Sequence, residues 1–82
     1  MKTHRLIYVK LLAPTVHYGT RVSIKSDGHG VRLPYDYKYN RAENQAYDHL
    51  TQELGIEICG VTSDDKHRAI YITQDLHTPI KK

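Results

Sequence analysis

Residues 40–55 read NRAENQAYDHLTQELG, and this stretch decides the fold because the other periodic stretches of the chain alternate as strands do. Its apolar residues recur every three or four positions, as on one face of an α-helix. They are Ala42, Ala46, Tyr47, Leu50 and Leu54. Asn40 with Glu43 three residues later predicts a capping box at the start, and Gly55 predicts a left-handed residue at the end. The sequence predicts one amphipathic helix over residues 41–54.

The chain before this helix predicts three strands. Residues 5–12 alternate with a period of two, which places Ile7, Val9 and Leu11 on one face and Leu6, Tyr8, Lys10 and Leu12 on the other. Residues 20–25 alternate strictly, and residues 31–33 resume the pattern after Ser26-Asp27-Gly28-His29-Gly30. The glycines of that segment favour a tight turn, so the second and third strands form a hairpin.

The chain after the helix predicts a second hairpin, with strands at residues 56–61 and 68–73 around a polar turn. In its last strand we expect Ile70 and Ile72 to point inward, and Ala69, Tyr71 and Thr73 to lie on the opposite face. Periodicity is lost from Gln74 onward, so residues 74–82 are expected to form a flexible tail. The order β-β-(β)-α-β-β predicts a single α+β domain over residues 1–82: a two-layer sandwich with an antiparallel or mixed sheet of four to five strands and the helix on one face.

Length and charge limit the function. The chain has 82 residues, with 12 Lys and Arg against 9 Asp and Glu, for a formal net charge of +3. One small domain has little room for a large catalytic cleft. The longest apolar runs, such as residues 6–9, have four residues and fall far short of the roughly 20 that span a bilayer. The basic start precedes no apolar leader segment. With a single cysteine, typical of a reducing compartment, we expect a cytoplasmic protein without membrane contact.

Catalytic and metal-binding signals are weak. The six histidines are His4, His17, His29, His49, His67 and His77, and none lies two to four residues from another. That spacing matches no metal-binding motif, although His29 and His67 would meet if both hairpins pointed the same way. Cys59 lies between Ile58 and Gly60, which is typical of a buried strand thiol rather than a nucleophile. We predict no catalytic residue, no cofactor and no metal; a small metal-dependent nuclease using aspartates is the least favoured alternative.

Two surfaces are candidates for binding. Arg21, Lys25 and Arg32 form a basic strip if they share the solvated face of one hairpin, with Lys10 near by. Tyr35, Tyr37 and Tyr39 alternate with Asp36 and Lys38, so in extended backbone the three phenol rings project to one side. The tyrosines either cover the core or form a contact patch. The predicted binding residues are Arg21, Lys25, Arg32, Tyr35, Tyr37, Lys38 and Tyr39.

The second face of the predicted sheet is not wholly polar. Leu6, Tyr8 and Leu12 make it partly apolar, so it is covered either by loops or by a partner, including a second copy of the chain.

Residues 21–25 (RVSIK), 33–40 (LPYDYKYN) and 55–58 (GIEI) resemble small open reading frames carried by bacteriophages and other mobile elements. The resemblance implies an accessory factor that acts in the host cytoplasm by binding a host or phage protein, including inhibitors of host defence. Together with the residues, it predicts a non-enzymatic binding module. A protein partner is the first expectation, a nucleic acid is the alternative, and a homodimer is a further possibility.

Overall fold

The computed structural model describes residues 4–17, 19–26 and 29–80. Its strands are β1 (Arg5–Leu12), β2 (Arg21–Ser26), β3 (His29–Pro34), β4 (Gly60–Thr62) and β5 (Ala69–Thr73). They pair antiparallel in one five-stranded sheet, in the order β3-β2-β1-β5-β4. Helix α1 (Ala42–Asp48) continues into a π-helical turn over His49–Glu53. The predicted two-layer α+β fold is confirmed.

One face of the sheet packs against the helix and is called the covered face. Val9 lies opposite Ile24, and Ile7 lies opposite Tyr71. Directly opposite residues share a face, so these side chains form one layer. Ile7, Val9, Val22 and Ile24 are 0% exposed. The helical segment closes the core above them with Ala42, Ala46 and Leu50.

The first three strands confirm the predicted alternation and the predicted hairpin of β2 and β3. Val22 lies opposite Leu33, and Ile24 lies opposite Val31, on the covered face. The turn predicted over residues 26–30 is wrong at its ends, because Ser26 belongs to β2 and His29 and Gly30 belong to β3. Asp27 and Gly28 lie outside the described residues. So do the start of the chain at residues 1–3, Tyr18 and residues 81–82.

The orientation predicted for β5 is wrong. Ala69 lies opposite Val9 on β1, so Ala69, Tyr71 and Thr73 point to the covered face, and Ile70 and Ile72 point away from the helix. Tyr71 is buried, and its hydroxyl donates a hydrogen bond to the carbonyl oxygen of Glu43 at 2.8 Å. A shift of one residue exchanges the two faces of a strand, and local hydrophobicity favours the isoleucines as core residues. The contact with the helix decides the orientation instead.

The capping box predicted at the start of the helix is also wrong. Arg41 is the N-cap residue, in extended conformation, and no side chain caps the helix. The helix is instead tied to the end of β3 by Gln45. Its amide nitrogen donates to the carbonyl oxygen of Pro34, and its amide oxygen accepts the backbone N–H of Asp36, both at 2.9 Å.

The end of the helix agrees with the prediction, but its last turn is wider than an α-helical turn. The N–H of Leu54 bonds to the carbonyl oxygen of His49 at 3.1 Å, five residues back. Nδ1 of His49 lies 2.7 Å from a carboxylate oxygen of Glu53 within this turn. Gly55 follows with φ of 70°, a conformation that glycine adopts without steric cost.

Strand β4 is shorter than the predicted strand at residues 56–61, because only Gly60–Thr62 pairs with β5. The hydroxyl of Thr73 donates to the carbonyl oxygen of Glu57 at 2.6 Å, a side-chain bond in place of a regular strand pair. Ile56 nevertheless remains buried in the core.

Residues 74–80 form no helix or strand, yet they pack against the rest of the domain. Ile80 is buried in the core, and Nη1 of Arg5 donates to the carbonyl oxygen of Thr78 at 2.8 Å. Asp75 accepts bonds from the Thr78 hydroxyl and from the backbone N–H groups of Thr78 and His77. These bonds lower the pKa of Asp75 to about 2. The flexibility predicted for residues 74–82 concerns motion and stays a prediction.

Candidate functional site

The candidate site is the face of the sheet that points away from the helix, called the open face. Strand register assigns its residues, because each one alternates with a residue of the covered face. They are Leu6, Tyr8, Lys10, Leu12, Arg21, Ser23, Lys25, Gly30, Arg32, Pro34, Gly60, Thr62, Ile70 and Ile72.

The cations of the first three strands gather on this face. Lys10 on β1 lies opposite Ser23 on β2, and Ser23 lies opposite Arg32 on β3, so one row across the sheet ends in a cation on either side. Arg21 and Lys25 flank Ser23 on β2. Lys10, Lys25 and Arg32 are exposed, and Arg21 is half-buried. The sequence predicts a basic strip if Arg21, Lys25 and Arg32 share one face of the hairpin. The strand register places these three residues on the same face.

No carboxylate interrupts these cations, since none of the strand positions assigned to the open face is Asp or Glu. Asp65, in the turn between β4 and β5, lines a groove together with Lys10. Adjacent like charges repel one another and attract a polyanion. The surface therefore has the charge of a site for phosphate groups.

Gly30 leaves room for the side chain of Lys25 to lie against β3. A Cβ atom built at Gly30 would come within 2.7 Å of Cγ of Lys25 and 2.8 Å of the carbonyl oxygen of Ile24. Real Cβ atoms do not approach other atoms so closely, and the missing side chain leaves room for the aliphatic part of Lys25 to cross β3. Gly30, which the sequence predicts as a turn residue, is instead part of strand β3 and shapes the basic surface there.

The half of the open face formed by β1 and β5 is apolar. Leu6 lies opposite Ile72, and Tyr8 lies opposite Ile70. Leu6 is 39% exposed, Tyr8 and Ile72 are half-buried, and Ile70 is buried between its neighbours. The inverted orientation of β5 creates this patch, because the predicted orientation would have placed both isoleucines in the core. The open face thus joins an apolar half to a cationic half.

An aromatic pair lies where the two halves meet. The ring centroids of Tyr8 and His67 are 4.9 Å apart, with the planes tilted by 47°. Nδ1 of His67 lies 2.9 and 3.1 Å from the two carboxylate oxygens of Asp64. Asp64 also accepts the backbone N–H groups of Lys66 and His67. The bond with His67, followed by these backbone bonds, lowers the pKa of Asp64, so the turn holds His67 against Tyr8.

A groove of about 350 Å³ continues the basic surface at one end of β1. Its lining includes Lys10, Lys66, His67 and Arg68, together with Asp65. Arg68 donates its backbone N–H to the carbonyl oxygen of Val9 at 2.7 Å, which fixes it beside β1. Lys66 and Arg68 in this groove are therefore additional cations of the candidate site, which the sequence did not predict.

The predicted tyrosine patch lies elsewhere. Residues 35–39 turn instead of extending, since the N–H of Tyr39 bonds to the carbonyl oxygen of Asp36 at 3.1 Å. Tyr35 packs against the core, and its hydroxyl donates to the carbonyl oxygen of Tyr39 at 2.8 Å. The core-covering alternative therefore holds for Tyr35. Tyr37 is 78% exposed, with its ring edge-on to Tyr35 at 4.9 Å between centroids.

Tyr39 and Lys38 contact each other and the helical layer. The Nζ of Lys38 lies 5.2 Å from the ring centroid of Tyr39 and 3.7 Å from a carboxylate oxygen of Asp36. A hydrogen bond to the Asp48 carboxylate raises the pKa of Tyr39. The structure therefore separates the predicted site residues into Arg21, Lys25 and Arg32 on the open face, and Tyr35, Tyr37, Lys38 and Tyr39 beside the helix.

The histidines and Cys59 are the candidate metal-binding and nucleophilic side chains. No three His, Cys, Asp or Glu side chains among them are arranged to hold a metal ion. His29 and His67 do not meet, because β2 and β3 turn at one end of the sheet and β4 and β5 turn at the other. The burial predicted for Cys59 is wrong: the residue is exposed and precedes β4. Its thiol donates to the carbonyl oxygen of Ile72 at 3.2 Å.

No protein-family profile, no curated protein and no solved structure matches this chain. Within the part of the chain that the structure describes, no helix is both long enough and apolar enough to cross a membrane.

Proposed function

We propose that this chain is a non-enzymatic binding module that uses the open face to bind nucleic acid. One observation carries the proposal: strand pairing gathers Lys10, Arg21, Lys25 and Arg32 on a face whose strand positions include no acidic residue. Phosphate groups are the ligand that such a surface attracts without sequence information. The sequence favoured a protein partner over nucleic acid, and this charge arrangement reverses that order.

The mild net charge of the whole chain is compatible with the proposal, because charge distribution rather than the total governs binding. Acidic side chains are concentrated in the helical layer and in loops, including Glu43, Asp48 and Glu53. The strand positions of the open face therefore carry the exposed cations Lys10, Lys25 and Arg32 with no acidic residue among them.

The proposal is tested by the salt dependence of binding to a labelled oligonucleotide. The paired variant Lys10→Gln with Arg32→Gln removes two exposed cations of the open face. Each lost phosphate contact lowers the slope of log affinity against log salt by about 0.7 for single strands. We therefore expect the slope to become shallower by about 1.4 and affinity at low salt to fall at least tenfold.

Lys38→Gln with Arg41→Gln is the matched control, because both side chains are exposed, lie off the open face and remove the same charge. We expect it to retain nearly the wild-type slope. Equal losses in the two paired variants would show that net charge alone drives binding. Absence of oligonucleotide binding at low salt would refute the proposal.

The apolar half of the open face supports a second candidate function, the binding of a protein. Leu6, Tyr8 and Ile72 form a contact surface of the kind found at protein interfaces, and this candidate includes the phage-type accessory factor and the homodimer. A pull-down from bacterial lysate, with and without nuclease, separates the candidates. A single partner retained after nuclease treatment would favour protein binding, and loss of all bound material would favour nucleic acid.

A further inference from the structure

The cationic and apolar halves of the open face together indicate the form of nucleic acid that it binds. We propose that the ligand is single-stranded, with a base stacked on the ring of Tyr8 and phosphates at the neighbouring cations. This inference rests on the proposed function and adds to it the strandedness of the ligand and the residue that contacts the base.

The width of the sheet argues against insertion into a DNA duplex. Neighbouring strands lie roughly 4.8 Å apart, so the five strands span about 19 Å. The major groove of B-DNA is roughly 12 Å wide and admits a helix or a two-stranded ribbon. The cations are spread over β1, β2 and β3. A duplex could contact this face only through its backbone, whereas an unpaired strand can lie across it.

Tyr8 places an aromatic ring at the centre of the open face, next to a cation. It lies on β1, the central strand of the sheet, and its ring is half-buried on the open face. Lys25 lies directly opposite on β2, and Ile70 lies opposite on β5. An aromatic ring beside a cation on a flat sheet can bind a base and the adjoining phosphate of a strand whose bases are unpaired.

The turn at His67 restricts the motion of the Tyr8 ring before any ligand arrives. His67 packs against the ring at 4.9 Å and is itself held by Asp64 at 2.9 Å. A ring that is already held in place loses less conformational entropy when a ligand orders it. The groove lined by Lys66 and Arg68 then extends the path for the phosphates beyond Lys10.

The test compares one labelled oligonucleotide of about 15 nucleotides, a length within known single-strand site sizes, in single-stranded and duplex form. Fluorescence anisotropy at one fixed salt concentration gives both affinities. We expect the single strand to bind at least tenfold more tightly than the duplex. Tyr8→Leu removes the ring and should weaken single-strand binding about tenfold, which corresponds to a stacking energy of about 1.4 kcal/mol.

Tyr8→Phe is the matched control, since it keeps the ring and should bind the single strand within about twofold of wild type. Thermal unfolding confirms that each variant is folded, and Tyr8→Ile replaces Tyr8→Leu if the latter is not. Equal affinity for duplex and single strand, or unchanged single-strand affinity in Tyr8→Leu, would overturn the stacking proposal. Either result would leave the salt response of the Lys10 and Arg32 variant intact. Failure to bind both forms would instead refute nucleic-acid binding itself.

Discussion

The covered face and the open face of the sheet are made by the same strands, yet the exposed lysine and arginine side chains of those strands lie on the open face. On β1, Ile7 and Val9 are buried under the helix, whereas Tyr8 and Lys10 alternate with them on the open face. A shift of one residue along the strand thus separates core from surface. The comparison teaches that stability and binding can be altered independently at adjacent positions.

The largest expected difference between the faces is in stability. Ile24 is 0% exposed at the centre of the covered face, and truncating such a side chain removes buried apolar surface and leaves a cavity. We expect Ile24→Ala to lower the free energy of unfolding by about 3 kcal/mol. Urea denaturation measures this change, and for a domain of this size it is a large fraction of the total stability.

The adjacent Lys25→Ala is the control, because Lys25 is exposed on the open face. We expect a change in unfolding free energy within about 0.5 kcal/mol. Similar losses for Ile24→Ala and Lys25→Ala would mean that the two faces do not differ as the structure describes.

A smaller difference is expected from removing one hydroxyl group on each face. The Tyr71 hydroxyl on the covered face donates to the carbonyl oxygen of Glu43, so Tyr71→Phe should lower the free energy of unfolding by about 1 kcal/mol at neutral pH. Tyr8→Phe on the open face should change it by only a few tenths of a kcal/mol. A stability loss in Tyr71→Phe as small as that in Tyr8→Phe would contradict the assigned orientation of β5.

The pH dependence of Tyr71 sharpens this comparison. Burial, followed by the nearby Glu43 carboxylate and Tyr47, raises the pKa of Tyr71 to about 12. A raised pKa in the folded state stabilises the fold below the unfolded pKa of about 10 and loses that effect as pH rises through 12. The stability advantage of wild type over Tyr71→Phe should therefore shrink between pH 10 and 12. A constant difference across this range would contradict the burial of the phenol.

The elements that the sequence predicts correctly depend on the backbone conformation and on neighbouring residues in the chain. The left-handed glycine at Gly55 follows from backbone sterics, and the alternation of β1 and β2 follows from strand geometry. The basic strip follows from the same alternation once β2 pairs with β3, so Arg21, Lys25 and Arg32 could be predicted to share a face.

The elements that the sequence does not predict depend on contacts between distant residues. The orientation of β5 is set by the bond of Tyr71 to Glu43, and the start of the helix by the bonds of Gln45 to the end of β3. The contact of Tyr8 with His67 joins opposite ends of the chain. The alternation of β1 already places Tyr8 and Lys10 on the same face. This pattern could have identified Tyr8 as a residue of the binding surface.

The most direct test of the account follows the methyl groups of the two faces by NMR while a single-stranded oligonucleotide is added. Leu6 and Ile72 report on the open face, and Ile7 and Ile24 report on the covered face. We predict progressive shifts for the methyl groups of the open face and little change for those of the covered face. Shifts confined to the covered face, or no shifts at saturating oligonucleotide, would contradict the central claim that the open face is the binding surface.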